Sequence, residues 1–173
     1  MKSSRTSPNG RGPRAVLIAD LQRSVRLPVA RLRKLARDVM AGENLRAGDL
    51  SIAFVDRATM RRTNRKFLKH DFDTDVLSFP LEGPMLGELV ISTGYARDEA
   101  KKRGLPVIEE VSRYVVHGIL HLAGYDDHEP RAKAKMWKRQ EAYLKLRAAP
   151  GAKLKAAGSS KLAARSSPRR NRD

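Results

Sequence analysis

The sequence predicts an α+β fold, with a small mixed four-stranded sheet packed by helices. Three observations lead there. Strand-like and helix-like stretches are interspersed along the chain, only four stretches read as strands, and the gap between the third and fourth is short enough for a hairpin. With 173 residues the chain suits one domain with a proper core.

The elements follow in order. Met1 to Pro13 is rich in Ser, Gly, Pro and Arg without apolar periodicity, and residues 1–13 are expected to form a disordered basic tail. Ala15 to Ala19 reads as a short buried strand. Pro28 suits a first helical turn, after which Val29, Leu32, Leu35, Ala36 and Val39 recur at helical spacing until Gly42. Leu50 to Val55 is a second strand, and Asp56 is placed to cap a helix from Arg57 to about Phe67. That helix groups Arg61, Arg62, Arg65 and Lys66, leaving Met60, Phe67 and Leu68 for the core. A polar loop from Lys69 to Asp75 leads into Val76 to Pro80, a strand that the proline must end or hold at an edge. After the turn at Glu82, Leu86 to Ile91 is the fourth strand, and Ser92 or Thr93 caps a helix reaching Arg103. Val107 to Ala123 is the most apolar helix, expected to be largely buried. A last amphipathic helix, Pro130 to Leu146, places Met136, Trp137, Tyr143 and Leu144 among basic residues. The domain is therefore expected over 14–148, with 149–173 a flexible basic tail.

The formal charge of +17 is spread over all three parts: +3 in residues 1–13, +6 in 149–173 and +8 in the domain. A domain that is itself basic favours a polyanionic partner, of which nucleic acid is the commonest. No cysteine is present, so disulfide-linked partners and thiolate metal sites are excluded and any metal must use His, Asp or Glu. No apolar run approaches the ~20 residues of a membrane span, and the N-terminus does not read as a secretory signal. A cytoplasmic protein with no membrane partner is expected.

Three of the four histidines fall within twelve residues, in H-G-I-L-H-L-A-G-Y-D-D-H from His117. His117 and His121, four apart on a helix, share one face as two ligands of one ion require. Gly124 ends that helix, and the returning chain offers Asp127 or His128 as third ligand. Zinc is the default ion for imidazoles with a carboxylate, one ion per chain, although nickel, manganese or copper suit the same ligand types. Zinc proteases of the H-E-x-x-H type carry their base after the first histidine, where this chain has Gly118, so proteolysis is disfavoured. A three-ligand site leaves a position for water, held by His117 and His121 and activated as a nucleophile; beside a basic field the expected target is a phosphodiester.

These residues carry a family resemblance. The block from His117 is similar to H-G-x-x-H-x-x-G-Y-D-H of the YbeY endoribonucleases, Thr74 to Pro80 to their T-D-V-L-S-F-P, and Gly87 to Ile91 to their G-D-I-V-I strand. The resemblance spans about Ala15 to Leu146. It implies a single-strand-specific, zinc-dependent endoribonuclease that matures the small-subunit rRNA 3′ end and serves ribosome quality control. Its partners would be single-stranded RNA, rRNA and the small ribosomal subunit, and its zinc would sit on His117 and His121 in a cleft floored by the sheet. Asp75 and Ser78 would shape that cleft, with Phe79 in the core. The sequence departs from the pattern twice. The family's third histidine aligns with Asp127, favoured over His128 because Met136 keeps the family's distance from it. Leu68 stands where the family usually has a phosphate-contacting arginine, so the resemblance implies that Arg61, Arg65, Lys66 or Lys69 supplies the RNA-binding charge instead, and it leaves room for a different reading: an RNA-binding assembly factor with a structural zinc.

Overall fold

The computed structural model describes residues 15–45 and 48–148; the two expected tails lie outside the described residues. Nine elements follow one another: β1 (Val16–Asp20), α1 (Val29–Gly42), β2 (Asp49–Val55), α2 (Arg57–Leu68), β3 (Val76–Pro80), β4 (Met85–Ser92), α3 (Thr93–Arg103), α4 (Val107–Leu122) and α5 (Pro130–Ala148). The sheet order is β1-β2-β4-β3. β1 and β4 flank β2 in parallel, and β3 pairs antiparallel with β4 through the expected hairpin, so the sheet is mixed. Pro80 closes the edge strand, where its missing N–H costs no ladder bond.

Alternation along the strands sends side chains to two layers. Leu50, Ile52 and Phe54 of β2 and Leu89 and Ile91 of β4 join the main core with α1 and α4. The intervening Val55 and Val90, with Leu77 of β3, pack on Met60 of α2 in a smaller cluster on the opposite face. Helix α4 is the centrepiece, touching β3, β4, α1, α3 and α5. It approaches the sheet closely because of Gly118: a Cβ there would lie 2.8 Å from Leu89 Cδ2 and 3.2 Å from Ser78 Oγ. The glycine that argued against a protease base is thus required by packing.

Caps follow the sequence reading. Asp56 accepts from Thr59 N–H at 2.7 Å, and of the two candidates before α3 it is Ser92 that accepts, from Tyr95 N–H at 3.2 Å. Two expectations fail. Phe67 and Leu68 are 58% and 45% exposed, because the small second cluster takes only Met60 and Asn64 from α2 as buried residues and the last helical turn projects past it. Trp137 is 62% exposed, on the face of α5 away from buried Met136 and Tyr143. Phe79 is partly buried, packing on the second cluster with its ring 5.5 Å from that of Phe67.

Candidate metal centre

Helix α4 carries the two histidines, and its termination builds the rest. Gly124 adopts φ +88°, a left-handed conformation that glycine enters without Cβ strain. Gly124 N–H then donates to His121 O at 2.9 Å and Tyr125 N–H to Leu120 O at 3.0 Å, the paired bonds of a Schellman ending. The reversal returns the Tyr125 carbonyl over the helix end, where it accepts from His121 Nδ1 at 3.1 Å, and it sends Asp127 back towards the histidines.

A carbonyl can only accept, so His121 Nδ1 bears the proton and Nε2 presents its lone pair. Gln140 of α5 does the same for His117, its Oε1 accepting from Nδ1 at 3.0 Å. The two Nε2 atoms then face one another at 3.0 Å. Two lone pairs so close repel unless a cation lies against both, and Asp127 Oδ2 stands 3.7 and 3.8 Å from the same nitrogens. Burial first, then the neighbouring His121, holds the His117 imidazole below its ordinary pKa, favouring the neutral form that ligates metal. His117, His121 and Asp127 form a group whose donor atoms lie within 4.8 Å of one another. Two imidazoles and one carboxylate, with second hydrogen bonds fixing both rings, fit a divalent transition ion.

The other candidate third ligand is elsewhere. His128 is 86% exposed and bound by its neighbour Asp126, which hydrogen-bonds both its ring and its backbone N–H and raises its pKa. It belongs to a separate, more exposed grouping with Asp126 and Asp127.

The loop bearing Asp127 is anchored from behind. Tyr125 Oη donates to Glu43 Oε2 at 3.1 Å, while Glu43 Oε1 accepts from Tyr143 Oη at 2.6 Å and from Arg139 Nε at 2.5 Å. Glu43, Arg139 and Gln140 were not singled out by the sequence, and Tyr143 was read only as an apolar residue of the last helix. A signal existed for Gln140: it shares a helical face with buried Met136 and Tyr143, so it is a polar residue in an apolar stripe.

A cavity of about 200 Å³ is lined by residues of α3, α4 and α5, His117 and Gln140 among them, and by Asp75; His121 and Asp127 do not line it. Ser78 Oγ lies 3.4 Å from Gly118 O, directly under the histidine helix. The basic side chains of α2 are placed differently. Arg61 grips Asp71 through Nε and a terminal nitrogen at 2.9 and 3.1 Å, Arg65 lies 3.7 Å from the same carboxylate, and Lys66 lies over the Phe67 ring. Lys69 is the left-handed residue closing α2. Since α2 packs on the sheet face opposite α4, none of the four forms an ion pair or hydrogen bond with the histidine–aspartate group among the described residues. The arginines that line the cavity are Arg103 and Arg113.

Comparison with known proteins agrees with this architecture. The family model described as endoribonuclease YbeY matches residues 17–147. The chain is 37% identical over 129 residues to the endoribonuclease YbeY of Salinibacter ruber, covering 68% of this chain and 82% of that protein. It is 43% identical over 117 residues to that of Solibacter usitatus, covering 67% and 74%. A Thermotoga maritima protein of known solution structure shares the fold at a TM-score of 0.56 and 24% identity, over 76% of this chain and 88% of the other.

Proposed function

The chain belongs to the YbeY endoribonuclease family, and from that premise we propose that it is a metal-dependent endoribonuclease of rRNA maturation. In this reading it cuts single-stranded RNA at the 3′ end of small-subunit rRNA, takes part in ribosome quality control and works on the small subunit in the cytoplasm. No helix among the described residues is long and apolar enough to cross a membrane.

The observation that carries the proposal is the convergence of His117 Nε2, His121 Nε2 and Asp127 Oδ2 within the family domain, with His117 also lining a cavity. These three side chains would hold one zinc ion, which when bound supplies Lewis acidity to a phosphoryl oxygen and lowers the pKa of water. The protein's own part is orientation. Gln140 and the Tyr125 carbonyl keep both imidazoles in the ligating tautomer, and the Glu43 network fixes the loop that presents Asp127. Buried Gly118 and half-buried Ser78 set the helix close on the sheet. On the opposite side of the sheet Arg61, Arg65, Lys66 and Lys69 supply field rather than contact, steering the strand from a distance.

Leu68, exposed at the end of α2 where the family resemblance places an arginine, supports the second reading, an assembly factor whose zinc is structural. One experiment separates the two. Purified wild type and His117→Ala are assayed for bound metal and for hydrolysis of single-stranded RNA. The proposal expects the metal and the cleavage to vanish together; a folded, metal-bearing wild type that cuts no faster than the variant contradicts it.

A further inference from the structure

We propose that the cavity lined by α3, α4 and α5 is a nucleobase subsite that takes a guanine from the RNA strand, next to the phosphate handled at His117. This deepens the endoribonuclease reading and rests on it.

Position comes first. His117 belongs both to the metal group and to the cavity lining, so a nucleotide with its phosphate at the metal group has the remaining lining beside it. At about 200 Å³ it falls below the ~300 Å³ at which drug-sized sites begin, and it suits one heterocycle rather than a dinucleotide.

Charge then excludes a second phosphate. Arg103 lies 3.2 Å and Arg113 3.5 Å from the same oxygen of Glu110, a fully buried carboxylate, and Arg113 also pairs with Glu141. Asp75 and Glu99 add two more carboxylates to the lining. Both guanidiniums are thus already paired with carboxylates, and the two acids of the lining face a bare anion with like charge. What they attract is a neutral ring with N–H donors at one edge and acceptors at the other.

Aromatic groups supply the walls. Tyr95 and Tyr114 meet edge to face, with centroids 6.4 Å apart and planes at 62°, and both line the cavity. Such rings are the usual platforms for an unstacked base of single-stranded RNA. Burial keeps the Tyr114 phenol protonated, so it offers a hydroxyl and no charge.

Hydrogen-bond chemistry selects the base. Carboxylates accept only and guanidiniums donate only. Asp75 commits Oδ1 to Val76 N–H and the Thr74 hydroxyl, which leaves Oδ2 as an acceptor, and Glu99 is held ionised by its bond from Lys102. Two acceptor carboxylates call for two donors, and guanine sets two side by side, N1–H and its 2-amine, with O6 and N7 left as acceptors for arginine, whereas adenine and cytosine offer one amine and no ring N–H beside it. Uracil has no amine and a single ring N–H.

The test uses the full chain loaded with zinc and short single-stranded oligoribonucleotides that differ at one position, occupied by guanosine, inosine, adenosine, cytidine or uridine. Cleavage beside guanosine is expected to exceed that beside uridine by at least about fivefold, the low end of discrimination by one bidentate base contact. Inosine, which lacks the 2-amine, loses most of that preference, and Glu99→Gln brings the guanosine-to-uridine ratio below about twofold. Cleavage of all five substrates within about twofold overturns the subsite while leaving the endoribonuclease standing. Should no substrate be cut, the endoribonuclease reading fails by itself, and binding of guanosine and uridine 5′-monophosphates to the same zinc-loaded protein decides the subsite. Tighter guanosine binding that Glu99→Gln abolishes supports it; equal binding overturns it.

Discussion

Replacing Gln140 by leucine removes one hydrogen bond from the metal group and nothing else of comparable size. Gln140 is 5% exposed, and its Oε1 accepts from His117 Nδ1 at 3.0 Å. Leucine nearly preserves the volume packed against α4 but leaves the partly buried His117 Nδ1 without its partner, so the metal-free fold should lose about 1–3 kcal/mol. Metal binding should weaken as well. Without the acceptor, His117 is free to carry its proton on Nε2, the atom that faces His121, and loss of such an outer partner typically weakens metal binding ~10–100-fold. Competition with a chromogenic chelator measures that ratio, and thermal melts of the metal-free forms measure the fold. Gln140→Glu keeps an acceptor at the same place and should retain binding. A Gln140→Leu protein that is folded and binds zinc as tightly as wild type would refute the assignment of Nε2 as the ligand atom.

Three further outcomes are expected. Asp127→Ala should lose bound metal while His128→Ala keeps it, since only Asp127 lies against both Nε2 atoms; equal occupancy by mass spectrometry of the native proteins would reverse that choice. Glu43→Ala strands the guanidinium of Arg139, whose side chain is 17% exposed, and should cost about 3–5 kcal/mol in urea unfolding, far more than any exposed pair on α2. In the metal-free protein the depressed pKa of His117 means that the unfolded chain takes up a proton before the folded one. Its contribution to stability is therefore complete above the ordinary histidine value of 6.5 and is lost as pH falls through and below it. Melting temperatures across that range should fall more steeply for wild type than for His117→Gln; parallel curves would show that His117 does not titrate as described.

What the sequence disclosed and what it withheld divide along range. The i, i+4 pair His117–His121 and the glycine stop were legible because helical period and a positive-φ turn are local properties. The hairpin and the mixed sheet followed from one short connection. The contest between Asp127 and His128 could not be settled by spacing, because neighbours in a loop follow no period; the Schellman reversal and the bond of Asp126 to His128 decide which of them faces the helix. Gln140 and Glu43 lie 23 residues after His117 and 82 before Tyr125, and only tertiary packing brings them in. The basic helix was read correctly as basic and amphipathic, yet its register gave Phe67 and Leu68 to a core that ends at Asn64. Asn64 instead donates to the Phe72 carbonyl at 2.9 Å, pinning the 69–75 loop, and Asp71 of that loop draws in Arg61 and Arg65. Burial of a helix end depends on where its partner layer stops, which no pattern within the helix records.

Under the proposed function, the His117–His121–Asp127 group holds an ion on which RNA hydrolysis depends. That dependence is tested most directly by stripping metal from the purified full chain, confirming by circular dichroism that it remains folded, and adding zinc back in increments while cleavage of single-stranded RNA is followed. No cleavage is expected without metal, and the rate should rise in proportion to occupancy and level off at one ion per chain. A folded, metal-free protein that cuts at the fully loaded rate, or a fully loaded one that does not cut, would contradict the proposed function.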